Sequence, residues 1–174
     1  LCPVMADHHQ ILTDSPGPGK FRGGAGVIKT STIGAADQTV ISYICDRERS
    51  VVWGIKGGLP SMPHGLWIRR RGREEKEWFG SLFSDEPIAS GDVFSRSTAG
   101  GGGLGDPLER DPEAVMRDVE DDYVSLERAK TDYGVVLRPV DLDLAQYEVD
   151  IEATKSTRAE IAAAREGWLD EAPE

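Results

Sequence analysis

The stretch 98–115, TAGGGGLGDPLERDPEAV, divides the chain into two parts of different composition. Of the 20 glycines, 18 lie in residues 1–105. Residues 1–105 carry 12 basic and 11 acidic side chains, whereas residues 106–174 carry 8 basic and 20 acidic ones. Glycine and β-branched residues are typical of strands and tight turns, whereas Glu, Ala and Arg are typical of helices. The sequence therefore predicts a β-rich part at 1–105 and an acidic helical part at 106–174, which together form one compact unit.

Short β-favouring runs recur through the first part, and turn signals such as 34–37, GAAD, separate them. The predicted strands are 26–33, 39–45, 50–55, 66–70, 77–83 and 92–97. Short strands at this spacing, without helices between them, predict an antiparallel sandwich or a barrel-like sheet. The basic run 69–73, RRRGR, is followed by EEKE, so we expect a hairpin tip with solvated charges of both signs.

Helix-start chemistry opens the second part. Asp111 is placed to cap a helix that has Pro112 at its first position, and Ser125 is placed to cap a second helix that ends at Gly134. A short strand is predicted at 135–137 and a longer helix at 154–165. The apolar residues expected on that last helix are Ile161, Ala162, Ala164 and Trp168. The predicted fold class is α+β, with a glycine-rich antiparallel β sandwich or barrel-like segment before a helical C-terminal segment.

Charge and composition exclude several classes of function. The net charge of −11 argues against nucleic acid or an anionic membrane as partner, because both require a positive surface. No apolar run approaches the roughly 18 residues of a membrane span. The two cysteines are too few for a disulfide framework, so we expect a cytoplasmic protein. A first residue of Leu1 suggests a processed chain or a piece of something larger.

Two glycine motifs resemble nucleotide-binding loops. Residues 100, 102 and 105 satisfy G-x-G-x-x-G, but the predicted helix starts only near Pro112, too far away to bind a pyrophosphate. Residues 17–20, GPGK, lack the Ser or Thr of a phosphate loop, since Phe21 occupies that position. We therefore expect a tight corner where backbones approach closely in the first case, and a rigid turn in the second.

Ligand-type and nucleophilic side chains form no clear constellation. A zinc site is the alternative that soft ligands leave open, and the candidates are Cys2, His8, His9, Cys45 and His64. Their spacing is irregular, and Cys45 is better explained as a core residue of its strand. His8 and His9 are successive residues, so on an extended chain they point in opposite directions. No G-x-S-x-G motif is present, and the residues alone predict an α+β domain without an autonomous active site.

Four blocks of sequence resemble the hydantoinase B/oxoprolinase family. Residues 14–27, DSPGPGKFRGGAGV, and 98–115 are similar to two glycine-rich hallmarks of that family. Between them, 46–49, DRER, and 53–60, WGIKGGLP, also match, as do 123–125 and 133–136 downstream. The chain resembles only the C-terminal portion of much longer family members. No catalytic residue is therefore transferred to it.

The resemblance implies a small subunit of a multi-subunit, ATP-dependent ketone carboxylase of the acetophenone or acetone type. Such a chain would complete the hydantoinase B-like subunit, while ATP and a divalent metal would bind to larger hydantoinase A-like and B-like partners. A subunit of an ATP-dependent hydantoinase or 5-oxoprolinase is one alternative, and a free-standing binding domain is another. The expected contact residues are Asp46, Arg47, Arg49, Trp53, Gly100, Gly101, Gly102, Gly103 and Asp106. Arg47 or Arg49 could instead bind a carboxylate or phosphate.

Overall fold

A five-stranded antiparallel sheet is assembled from strands that lie far apart in the sequence. The computed structural model describes residues 3–35 and 39–170, with side chains through residue 165. In chain order the strands are β1 (Val4–Ile11), β2 (Val27–Ile33), β3 (Thr39–Ile44), β4 (Leu66–Arg69), β5 (Lys76–Gly80), β6 (Leu82–Ile88), β7 (Val93–Ser97), β8 (Leu137–Asp141) and β9 (Gln146–Val149). The order in the large sheet is β1-β2-β7-β4-β5, and β3–β6 and β8–β9 form separate antiparallel pairs. The antiparallel α+β prediction is confirmed, and the strands of the described residues form open sheets and no closed barrel.

The first hydrophobic core lies between the large sheet and the β3–β6 pair. Side chains alternate across a strand, so one face of the sheet is buried. Ile33, Leu66 and Ile68 from the sheet pack with Ile88 of β6. Aromatic and aliphatic side chains complete this core, namely Ile41, Tyr43, Phe79, Phe83 and Phe94. The two layers give the sandwich-like packing that the strand spacing indicates.

A second core is formed by the helical part. Helices α1 (Pro112–Glu120), α2 (Leu126–Thr131) and α3 (Ile151–Asp170) follow a short 3-10 turn at Pro107–Glu109. The buried members of the core are Val115, Val119, Val124, Ala129, Tyr133 and Val135. Half-buried residues from β8 and β9, including Leu137 and Val149, pack against them. No helix among the described residues is long and apolar enough to cross a membrane.

The predicted helix boundaries are confirmed at three capping residues. The Asp111 carboxylate accepts a hydrogen bond from the Glu113 N–H, and Pro112 is the first residue of α1. The Ser125 hydroxyl accepts from the Arg128 N–H at the start of α2. Gly134 has a φ of 63°, the left-handed conformation expected after a helix.

Several strand predictions are wrong in a way that the backbone explains. Residues 50–55 form a loop with one isolated bridge at Ile55, whose backbone N–H and carbonyl bond to Gly103 and Gly105 of the glycine-rich loop. The predicted strand 77–83 is divided between β5 and β6 at Ser81, where the preceding Gly80 has a φ of 75°. Strands β1 and β9 are missed, since every residue of β1 is exposed and gives no apolar alternation.

The second part also departs from prediction. The strand predicted at 135–137 lies at Leu137–Asp141, because the Val135 N–H donates to the Ala129 carbonyl at the end of α2. Helix α3 is longer than the predicted 154–165. Ile161 is half-buried, whereas Ala162 and Ala164 are exposed. Predictions for Leu1, Cys2, residues 36–37 and the side chain of Trp168 fall outside the described residues.

The basic hairpin tip is confirmed as a turn but not as fully solvated. Strands β4 and β5 pair antiparallel, and residues 70–75 connect them. The half-buried Arg70 guanidinium binds Glu77, Glu86 and Asp92 and donates to the Pro87 carbonyl. Arg70 therefore joins the hairpin to β6 and to the turn before β7.

Candidate functional site

Three glycine-rich segments meet in what we call the glycine cluster, formed by residues 15–26, 54–59 and 100–105. Their backbones hydrogen bond to one another across large sequence distances. Gly17 N–H donates to Gly101 O at 2.8 Å, and Gly103 N–H donates to Leu59 O at 3.0 Å. Leu59 N–H in turn donates to Pro18 O at 2.7 Å. The three glycine-rich motifs that resemble the family therefore pack together through their backbones.

Close backbone contact explains why glycine occupies these positions. A Cβ added at Gly103 would lie 1.9 Å from Pro18 O, and one at Gly102 would lie 2.0 Å from Trp53 O. A Cβ at Gly100 would lie 2.2 Å from Ser15 O. Because each obstacle is backbone rather than a flexible side chain, no other residue fits without moving a neighbouring segment.

Four of the six amides of the 100–105 loop donate hydrogen bonds within the chain. Gly101, Gly103, Leu104 and Gly105 each donate their N–H to a carbonyl of another segment. A phosphate-binding loop needs such N–H groups directed at the ligand. In the 17–20 segment, the Lys20 ammonium pairs with Glu109 at 3.0 Å. The backbone contacts therefore agree with the predicted close-packed corner at 100–105.

A line of large exposed side chains, which we call the apolar row, covers the glycine cluster. Phe21 and Leu104 are hydrogen-bonded partners in an antiparallel bridge, and Ile55 pairs with Leu104 in a parallel bridge. Partners directly opposite one another present their side chains on the same face. Their exposed fractions are 62% for Phe21, 42% for Leu104 and 58% for Ile55, and Trp53, two residues before Ile55, is 71% exposed. Four neighbouring residues of this size form a surface suited to protein contact.

A buried ion group lies beneath the glycine cluster. The Asp118 carboxylate of α1 accepts from Arg22 Nε at 3.0 Å and from Arg110 Nη2 at 2.8 Å. The Arg22 guanidinium also lies over the Tyr123 ring, 4.3 Å from its centroid. Arg22 and Arg110 belong to the two glycine-rich motifs, so this group fixes both motifs to α1.

Contacts with Ser81 and His64 hold the loop 45–49 in place. Cys45 N–H donates to Ser81 O, and His64 Nε2 contacts the Asp46 carbonyl oxygen. The Glu48 carboxylate accepts from both the Ser81 hydroxyl, at 2.7 Å, and the Ser81 N–H, at 2.9 Å. These contacts, the hydroxyl first, outweigh partial burial and hold the pKa of Glu48 below its ordinary value.

The two arginines predicted as contact residues in this loop, Arg47 and Arg49, are both exposed. Arg47 and Arg49 line a cleft of about 800 Å³ that also contains Trp78 and Leu82. Neither guanidinium forms a hydrogen bond or an ion pair within the described residues. Arg47 has a φ of 81°, in the left-handed region where a side chain adds strain.

The other predicted residues are distributed differently. Asp46 and Trp53 are exposed, whereas Gly100 and Gly103 are buried inside the glycine cluster. Asp106 is engaged within the chain, since its Oδ1 accepts from the Leu108 N–H and from Arg165. Of the predicted contact residues, those that a partner could reach therefore lie in the apolar row and in the 45–49 loop.

The candidate zinc ligands do not meet among the described residues. His8 and His9 point to opposite faces of β1, as the alternation predicts, and His64 is buried against a backbone carbonyl. Cys45 is half-exposed at the end of β3, so its prediction as a core residue is wrong. No group of three or more His, Cys, Asp or Glu side chains suited to a metal occurs in the described ranges.

Sequence reasoning identified only Trp53 of the apolar row and missed the Asp118 ion group. Phe21, Ile55 and Leu104 lie within the glycine-rich motifs, and in those motifs only the glycines indicate a structural role from the sequence. The position of Asp118 on α1 could have indicated its burial. It lies three residues after Val115, on the helix face that Val115 and Val119 bury. An acidic residue on such a face indicates a buried ion pair.

Comparison with known proteins gives a consistent assignment. The sequence profile of the hydantoinase B/oxoprolinase family matches residues 1–107. An uncharacterized protein of Methanocaldococcus jannaschii is 31% identical over 90% of this chain and 26% of its own length. The putative B subunit of a D-/L-hydantoinase from a Pseudomonas strain is 30% identical over 90% of this chain and 25% of its own. The chain thus spans about a quarter of the length of the curated relatives it matches.

Two solved structures share the fold. Nucleotide-free acetone carboxylase matches with a TM-score of 0.77 and 27% identity over 99% of this chain and 26% of its own. The ATP-dependent caprolactamase of Pseudomonas jessenii matches with a TM-score of 0.73 and 28% identity over 90% of this chain and 26% of its own. The match to acetone carboxylase covers both the β-rich and the helical part.

Proposed function

Because this chain belongs to the hydantoinase B/oxoprolinase family, we propose that it works inside a hetero-oligomeric, ATP-dependent carboxylase or amide hydrolase. Its role there is structural: it completes the hydantoinase B-like subunit. The observation that carries this proposal is the exposed apolar row on a corner whose backbone contacts are already satisfied. Such a corner is rigid and presents a hydrophobic surface to a partner.

The length relation supports a role in assembly. Relatives are about four times longer than this chain, and it corresponds to a quarter of each. A quarter of a subunit packs against the remaining three quarters through surfaces that are exposed when it is taken alone. The apolar row has the size and chemistry of such a surface, because aromatic and aliphatic residues dominate the buried centres of interfaces.

The proposed reaction is carboxylation of a ketone with bicarbonate and ATP, giving a 3-oxo acid. The fold match to acetone carboxylase, with a TM-score of 0.77 over 99% of this chain, supports this class. ATP and a divalent metal are assigned to hydantoinase A-like and B-like partners, and acetophenone-type ketones are the proposed substrates. Catalysis by such partners depends on positioning and on stabilising transferred phosphoryl charge.

Hydrolysis of a cyclic amide is the second candidate. The structural match to an ATP-dependent caprolactamase and the identity with a hydantoinase chain support it. The two candidates differ in what the purified assembly consumes. ATP hydrolysis that depends on bicarbonate and ketone would establish the carboxylase, whereas ATP hydrolysis that depends on a lactam or hydantoin would establish the amide hydrolase.

Native mass spectrometry of the untagged protein from its source tests the assembly role. We expect the 18.9 kDa mass of this sequence within a complex that also contains larger subunits. The double substitution Trp53→Ser and Ile55→Ser should release it, because both side chains are exposed on the apolar row. Leu142→Ser is the matched control, since Leu142 is 72% exposed on the β8–β9 turn, away from the cluster. A wild-type chain that is folded and alone would contradict the proposal.

A further inference from the structure

We infer that Arg47 and Arg49 form a binding site for an oxyanion, a carboxylate or a phosphate, in the cleft between the 45–49 loop and the β5–β6 junction. Both arginines line this cleft, whose volume of about 800 Å³ is sufficient for a small ligand. Guanidinium groups bind carboxylates and phosphates through paired, charge-assisted hydrogen bonds. The inference is independent of the proposed assembly, because it concerns binding by this chain alone.

The loop is built to hold the two arginines in place. Glu48, which lies between them in sequence, accepts hydrogen bonds from the Ser81 hydroxyl and N–H. A Cβ on Gly80 would lie 2.7 Å from the same carboxylate, so the strand junction accommodates Glu48 closely. His64, which is buried, contacts the Asp46 carbonyl. The Glu48 carboxylate is thus held at Ser81, and the hydrogen bonds from Ser81 together with the Arg49 charge lower the pKa of Glu48.

Backbone conformation at Arg47 makes glycine a replacement that adds no strain. With a φ of 81°, Arg47 occupies a conformation that glycine adopts without strain. Five other non-glycine residues among those described, Lys56 and Ala145 included, also have a positive φ, so the conformation by itself assigns no role to the side chain. It does make Arg47→Gly a way to remove the guanidinium without adding backbone strain.

The charges of the cleft define how the anion must bind. Its charged residues are Asp46, Arg47, Glu48 and Arg49, and no other residue lining it is acidic or basic. The Asp46 and Glu48 carboxylates of the same cleft repel an anion, so either arginine alone would be largely cancelled. Binding therefore requires both guanidinium groups together, and loss of either one should weaken it by about tenfold or more.

Side-chain ¹⁵N NMR of the full chain tests the inference, with inorganic phosphate and acetate as probes at constant ionic strength. We expect saturable shifts of the Arg47 and Arg49 Nε–Hε signals, and the tighter of the two probes identifies the ligand class. Arg47→Gly should leave the melting temperature unchanged or higher while weakening binding at Arg49 by about tenfold or more. Arg49→Ala provides the reciprocal test at Arg47.

Arg73→Ala is the control, because it removes the same charge from an exposed hairpin position. It should leave both binding curves unchanged. The inference is overturned if neither probe gives a saturable shift, or if Arg73→Ala weakens binding as much as Arg47→Gly. It is also overturned if the arginine variants bind both probes normally but lose the larger subunits in native mass spectrometry, since the pair would then contact protein.

Discussion

At the scale of single residues, the glycines of this chain fall into two physical classes. Some have backbone from another segment where their Cβ would be, as Gly103 does, whereas Gly24 has nothing within 4 Å. Glycines of both classes occur in the motifs that resemble the family, and the sequence alone does not tell one class from the other. The difference can be measured as a change in the free energy of unfolding, because a Gly→Ala substitution creates a steric clash only in the first class.

We predict that Gly103→Ala destabilises the fold by about 3 kcal/mol or more, because its methyl group would lie 1.9 Å from Pro18 O and neither backbone can yield cheaply. Gly24→Ala, the matched control, should be neutral or stabilising by about 0.5 kcal/mol, since it restricts only the unfolded chain. Chemical denaturation of both variants measures the difference. Equal stabilities would show that the cluster is looser than described.

At the scale of elements, the turn between β6 and β7 is organised by one buried carboxylate. Asp92 accepts hydrogen bonds from the N–H groups of Arg71, at 2.7 Å, and Ala89, at 3.0 Å, and it pairs with Arg70. Burial by itself would raise the pKa of Asp92, but these hydrogen bonds and the Arg70 charge outweigh it and lower the pKa below the ordinary 3.8. The turn and the basic hairpin are thereby joined by a charged contact.

A lowered folded-state pKa gives a stabilisation that is fully present above pH 3.8 and is lost as the pH falls through the folded value. We predict that Asp92→Asn lowers the free energy of unfolding at pH 7 and flattens its dependence on pH below about 4. Urea unfolding from pH 7 to pH 2 measures this. Asp143→Asn, at an exposed position on the β8–β9 turn, should retain the wild-type acid dependence.

At the scale of the whole molecule, polar contacts cross the composition boundary at residue 105. Asp14 Oδ1 accepts from the Ser125 N–H at 2.8 Å, and Asp14 N–H donates to Tyr123 O. The Asp118 carboxylate, which is only 8% exposed, holds Arg22 of the first part and Arg110 of the second. A buried ion group of this kind is costly to break, because the remaining charges stay desolvated.

We predict that Asp118→Asn costs about 3 to 5 kcal/mol, whereas Glu109→Gln, in an exposed pair with Lys20, costs about 1 kcal/mol or less. Thermal and urea unfolding of the two variants provide the comparison. Similar losses in both would mean that the Asp118 group is solvated in solution.

We further predict that the two parts unfold in one transition. In a Trp168→Phe background, tryptophan fluorescence reports on the β-rich part, because Trp53, Trp67 and Trp78 all lie there. Circular dichroism at 222 nm reports mainly on the helices. Coincident urea transitions are expected. Two separate midpoints would instead assign the parts to independent domains.

The sequence by itself determined the α+β class, the caps at Asp111 and Ser125 and the family, because these depend on local propensity and on motif spacing. Only the tertiary structure decided that Ile55 pairs with the glycine loop and not with a sheet, and that Asp118 binds two arginines. It also decided that Phe21 and Leu104 stand exposed beside Ile55. These features arise from contacts between segments tens of residues apart, and local patterns carry no information about such partners.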